Sequence, residues 1–149
     1  MKKKGILRNA LVFLFSIMFT MSAYAADGYA ADYTATQTIE QYTMAPTSEM
    51  LNGTAWYIAT PENIMMLVFQ DNIISIGGKD KYGNTSTIIG EYQLDGNKMN
   101  VTYLGAAENG KVRAVTAPVY KTHYIGLTDN DSCVFSMDGT DYTTFIKQN

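Results

Sequence analysis

From Leu51 onward the chain alternates apolar and polar residues in short runs, each closed by turn residues, and the period is that of strands. Residues 54–59 form the first run, ended by Thr60-Pro61-Glu62-Asn63. Residues 64–70 and 73–77 flank Asp71-Asn72, a two-residue connection of the kind that favours positive φ in a hairpin. After a loop at 78–84, the run 85–94 sets Ile88, Gly90, Tyr92 and Leu94 on one face and Glu91 and Gln93 on the other. Asp95-Gly96-Asn97 then turns the chain into 98–104, where Met99, Val101 and Tyr103 share a face. A loop at 106–110 leads into 111–117, which carries Val112 and Val115. Pro118 has no N–H to give a ladder, so an edge or a bulge is expected there. Runs at 120–127, 133–137 and 141–147 complete the series, joined by Thr128-Asp129-Asn130-Asp131-Ser132 and Asp138-Gly139-Thr140.

Eight or nine strands, each beside its sequence neighbour and with no apolar helical stripe among them, make a meander. A meander of that length escapes its exposed edges by closing, so the expected fold is all-β: a single up-and-down antiparallel barrel, with a flattened sandwich as the alternative. About 100 residues support one such core and not two. Leu51-Asn52-Gly53-Thr54-Ala55-Trp56 marks its beginning, and Trp56 is the chain's single Trp. A Gly permitting close backbone approach, followed by a large aromatic entering a strand, suits the closed base of a barrel. Just before it, Thr47 or Ser48 is placed to cap one helical turn through Glu49-Met50-Leu51, stopped by Asn52-Gly53.

The sequence ahead of the barrel changes where the protein is expected to be found. Lys2, Lys3, Lys4 and Arg8 precede an apolar run from Ala10 to Met21, and Ala23-Tyr24-Ala25 supplies small residues where a signal peptidase cuts. The run falls short of the ~20 residues that span a bilayer. Residues 1–25 are therefore expected to be a cleaved signal peptide, residues 26–48 a flexible leader, and residues 49–149 the barrel domain of a periplasmic or secreted protein with no stable membrane anchor. Cleavage would leave seven basic against fourteen acidic residues, a net charge of −7. That balance repels phosphate backbones, so no nucleic-acid partner is expected.

Candidate chemistry is sparse. Cys133 is the chain's one cysteine, which excludes an internal disulfide and reads as a small buried apolar side chain. His123 is the one histidine, which excludes a multi-His metal site within one chain. Counting back from Leu127 and Ile125, His123 and Lys121 fall on the inward face. No Gly-x-Ser-x-Gly elbow is present, and no Ser or Cys adjoins His123. Asp129-Asn130-Asp131 starts like a calcium loop but lacks the Gly at its sixth position and the Glu at its twelfth. Neither a metal nor a cofactor is expected.

Five motifs in order carry a resemblance: Leu51-x-Gly53-Thr54-x-Trp56, Leu67-x-Phe69-x-Asp71, Gly90-x-Tyr92-x-x-Asp95-Gly96-Asn97, Ile125-x-Leu127-Thr128-Asp129 and Asp138-Gly139-x-x-Tyr142. From Leu51 to its end the chain resembles the small bacterial lipocalin-like domain proteins; the opening is also similar to that of META-type envelope domains. In lipocalins a late Arg packs on the Trp, and Lys147 is the candidate for that place here. The resemblance implies an exported, non-catalytic barrel that binds something. Two readings stay open. One is a holder of a small apolar ligand, with Trp56, Phe69, Tyr92, Tyr103 and His123 as its lining. The other is a protein-binding module, such as an inhibitor of an envelope or toxin enzyme, acting through the loops at 78–84 and 105–110. An enzyme centred on His123 ranks below both.

Overall fold

A computed structural model describes Ile39 and residues 43–148. The expected signal segment at 1–25, and leader residues 26–38 and 40–42, lie outside the described residues. The described chain forms one short helix, α1 (Ser48–Leu51), and eight strands: β1 (Thr54–Ala59), β2 (Asn63–Gln70), β3 (Ile73–Asp80), β4 (Thr85–Asp95), β5 (Lys98–Glu108), β6 (Lys111–Leu127), β7 (Ser132–Ser136) and β8 (Thr143–Lys147). Every strand pairs antiparallel with its sequence neighbour, and β1 pairs with β8, which closes the up-and-down barrel.

The count is eight because residues 111–117 and 120–127 belong to one strand. Strand β5 pairs with both parts: Gly105 stands opposite Ala114 and Tyr103 opposite Val119. Residues 115–118 of β6 face only Leu104 of β5, so the extra length forms a bulge, and Pro118 lies in it. Strands β3 and β5 also run further than their apolar alternation does. Lys79 pairs with Thr85, and Glu108 with Lys111, so backbone pairing continues where the side chains have turned polar.

Turn chemistry sets the register. Asp71 and Asn72 hold φ of 50° and 62°, and Asn109 and Gly110 hold 47° and 80°, the left-handed pairs that match the twist of two-residue hairpins. Helix α1 starts at Thr47, whose side chain accepts a bond from the Met50 N–H at 3.3 Å. It stops at Gly53, where φ is 74°. Its Leu51 is fully buried in the main core with Trp56, Phe69 and Phe145. The Gly53 N–H donates to the Phe69 carbonyl at 2.9 Å, and the Asn52 side chain accepts from the Asp71 N–H at 2.9 Å. The helix thus closes the end of the barrel that carries the β2–β3, β4–β5 and β6–β7 connections. The opposite end, with the β1–β2, β3–β4, β5–β6 and β7–β8 connections, is the mouth.

Two further segments matter to the site. At the closed end, β5 stops short of the last residues of β6, and other groups take over its edge. Ile125 exchanges bonds with Asn97, and Leu127 exchanges two backbone bonds with Met44, at 2.7 and 2.9 Å. Thr43 lies against Gly126, where a Cβ would collide with its hydroxyl. Residues 43–44, assigned to the leader from sequence, therefore act as a short edge of the sheet. Toward the mouth, β7 pairs only with Tyr124 to Leu127. Residues 111–122 of β6 are all exposed and pair, among the described residues, with β5 alone.

Candidate functional site

All five residues proposed as a ligand lining sit on the inward face, and all five are buried. Cross-strand register explains why they converge: Trp56 stands opposite Leu67, Tyr92 opposite Val101, and Met99 opposite His123. Phe69 meets Tyr92 edge-on with ring centroids 5.6 Å apart. His123 lies 5.9 Å from the Tyr103 ring and 5.6 Å from Phe135, which in turn meets Phe145 edge-on at 6.4 Å. The five side chains belong to one core cluster or to a ring set against it, so they pack on one another inside the barrel. Trp56 donates from Nε1 to the Thr54 hydroxyl at 2.8 Å, and the Lys147 ammonium lies 5.6 Å over its ring.

His123 is fixed on both sides. Its Nδ1 lies 2.9 Å from the Met137 carbonyl, which can only accept, so Nδ1 carries the proton. Its Nε2 is then free to accept from the Tyr103 hydroxyl at 2.6 Å. Burial holds the imidazole below its ordinary pKa, the Met137 carbonyl opposes that, and the Lys121 charge adds to it. The Tyr103 phenol is raised by burial. Tyr92 is raised by burial as well, with the Ser48 side chain of α1 acting in the opposite sense. With both nitrogens bonded within the fold, the imidazole braces β5, β6 and the β7–β8 connection against one another.

Cys133 is fully buried, and burial pushes its thiol up, as expected of a small core residue. Asp138 shows what its Asp-Gly turn is for. Its Oδ1 accepts from the Thr140 N–H and hydroxyl, both at 2.8 Å, and its carboxyl is held at about 2 by those bonds. Gly139 beside it has φ of 85° and lies under the Tyr124 ring.

The loops named by the second reading come together at the mouth. The β3–β4 turn and the β5–β6 turn are tied through Asn109, whose backbone N–H donates to the Thr85 carbonyl at 2.9 Å while its Oδ1 accepts from the Thr85 N–H at 2.8 Å. Asp80 braces the β3–β4 turn, accepting from the N–H groups of Tyr82 and Asn84 at 2.9 and 2.8 Å. Its carboxyl is lowered chiefly by the Asn84 side chain. At the tip, Tyr82 is 79% exposed. Beneath this rim a concavity of about 520 Å³ reaches Ile76 and Ile88, inward residues at the mouth. A larger one, about 1010 Å³, opens on the outer face near the closed end, between Gln70, Ile73, Gln93, Thr102 and Tyr120.

Sequence reasoning missed this outer concavity and the exposed flank of β6. Alternation identified which residues face out, but only the three-dimensional twist of the strands makes their surface concave. The unequal lengths of β6 and β7 were legible in principle, since residues 128–132 turn the chain only five residues before the next turn begins. Comparison with protein-family models, with curated proteins and with solved structures finds no match for the chain.

Proposed function

We propose that this is an exported, non-catalytic binding protein that recognises another protein through the mouth end of its barrel. The observation that carries the reading is the union of two turns by Asn109 into one braced rim, with Tyr82 projecting from it at 79% exposure. A rigid, exposed tyrosine offers large contact area at little entropic cost, which is the usual character of an interface anchor. The contact of the candidate lining residues with one another supports the same choice, because a packed core with preset loops suits an inhibitor better than a carrier.

The reading of a small apolar ligand rests on a different observation. The mouth concavity reaches down to Ile76 and Ile88 beneath the rim, so an apolar molecule could seat there without displacing the aromatic core. Native mass spectrometry of protein recovered from its own cells separates the two. A protein adduct that disappears in Tyr82→Ala is the expected result. A small-molecule adduct of fixed mass, retained in Tyr82→Ala and lost in Ile88→Glu, would instead support the ligand reading and overturn recognition by the rim.

A further inference from the structure

The flank of β6 turned away from β5 is a free sheet edge. Residues 111–122 have no backbone partner on that side among the described residues, since β7 pairs with Tyr124 and beyond, and all of them are exposed. A row of unpaired N–H and C=O groups is a template for an added strand, and proteins ordinarily blunt such edges. Pro118 and the bulge at 115–118 interrupt this one, leaving ladder geometry at 111–114 and 119–122. The first of these runs starts directly below the β5–β6 turn, which Asn109 ties into the rim.

Register sorts the side chains along the edge. Arg113 stands opposite Ala106, Ala106 stands opposite Ile88, and Ile88 packs on the main core. Lys111 shares that face by alternation, and Lys121, opposite the core residue Val101, returns to it beyond the bulge. The barrel-facing side of the edge thus carries Lys111, Arg113 and Lys121, three of the seven basic residues after residue 25, and no acidic residue lies between Glu108 and Asp129. Glu108 offsets part of this charge, standing opposite Lys111 and 3.8 Å from Arg113, with the Glu108 and Arg113 side chains largely exposed. The other side of the edge carries Val112, opposite Ala107, and Tyr120, opposite Thr102, and both are exposed.

Charge and alternation together select the occupant. Pairing two copies of β6 edge to edge would set cations against cations. We propose, building on the recognition of another protein at the mouth, that the partner adds an extended segment to the 111–122 edge in which carboxylates alternate with apolar residues. The carboxylates of the added strand lie beside Lys111, Arg113 and Lys121, and its apolar side chains cover Val112 and Tyr120. Main-chain bonds supply the affinity of such a contact, and the alternation supplies its selectivity.

Titration of the purified chain with a synthetic peptide of alternating Glu and Val, followed by amide resonances, tests this. Shifts at residues 111–122 that weaken with salt are expected. Reversing the edge (Lys111→Glu, Arg113→Glu, Lys121→Glu) should weaken binding about tenfold or more, as three lost and repelling surface pairs imply. The reversed chain should instead take a peptide of alternating Lys and Val. Two N-methylated forms of the acidic peptide separate strand pairing from charge attraction. Alternate residues of an antiparallel strand bond to a given neighbour, so methylating the amides of one parity should abolish binding and methylating the other should spare it. An equal response to the two forms would overturn the proposal. So would an absence of shifts at residues 111–122, or equal binding by a peptide with its Glu and Val residues in two separate blocks. Failure here is distinguishable from failure of the rim, because the peptide reports on β6 alone and the rim is read from the partner adduct in native mass spectrometry.

Discussion

The hydroxyl of Tyr103 lies 2.6 Å from Nε2 of His123 inside the barrel, and it donates to that nitrogen while the imidazole is neutral. Protonation would reverse that bond, Nε2–H donating to the hydroxyl oxygen, and would place a charge in a buried site with the Lys121 charge nearby.

Stability should therefore fall in mild acid. The folded imidazole titrates below the unfolded value of about 6.5, so below that pH the unfolded chain binds a proton that the folded chain refuses. The contribution is complete above about 6.5 and is lost as pH falls toward the folded value. Urea midpoints at pH 7.5 and 5.5 should differ for the wild type. In His123→Leu the histidine part of that difference should vanish, and the orphaned Tyr103 hydroxyl should cost about 1–3 kcal/mol at either pH. Identical pH dependence in the two proteins would contradict the assignment of His123 as a neutral brace.

Trp56 should carry a large share of the core. It is 2% exposed, its Nε1 is bonded to Thr54, and it packs in the cluster plugged by Leu51. Trp56→Ala is expected to lower unfolding stability by about 3–5 kcal/mol through the cavity it leaves. Lys147→Met, which removes the ammonium above the ring and keeps an apolar stem, is expected to cost about 0.5–1 kcal/mol. Denaturant titration of both variants checks the ranking, and a Trp56→Ala loss below 1 kcal/mol would remove Trp56 from the centre of the fold.

Gly126 should be coupled to Thr43. A Cβ at Gly126 would overlap the Thr43 hydroxyl and Cβ, so Gly126→Ala should push residues 43–44 off the β6 edge and cost about 1–3 kcal/mol. In Thr43→Gly that collision is absent, and Gly126→Ala should then be much milder. A double-mutant cycle that gives simple additivity would mean that residues 43–44 do not seat there.

Much of the fold was legible because it rests on a period of two. Ile88, Gly90, Tyr92 and Leu94 were placed on one face by alternation, and register puts the same face toward the core. Asp71-Asn72 advertised its hairpin through residues that tolerate positive φ. Pro118 announced a break but not its kind, since a missing N–H is equally consistent with a strand end and with a bulge inside one strand. The inward position of the candidate lining was also legible. Whether those side chains surround space or fill it depends on volumes summed across facing strands, which no single strand's pattern contains. The joining of the two mouth turns depends on Asn109 and Thr85, residues 24 apart whose contact follows from the hairpin register.

The seam between β1 and β8 has a consequence for motion. Eight register pairs join β2 to β3, whereas only two, Trp56 to Lys147 and Tyr57 to Ile146, join β1 to β8, with one more bond from the Gln148 N–H to the Ala55 carbonyl. The hairpins also link near neighbours in the chain, while the seam ties residues about 90 apart and must overcome the greater loop-closure entropy. Closure is thus expected to be the late step in folding and the first to be undone, by unlatching along one line while the remaining ladder stays paired. Amide hydrogen exchange should record this as faster exchange at Tyr57 and Ile146 than at Leu67 and Ile76, with the two seam amides exchanging together.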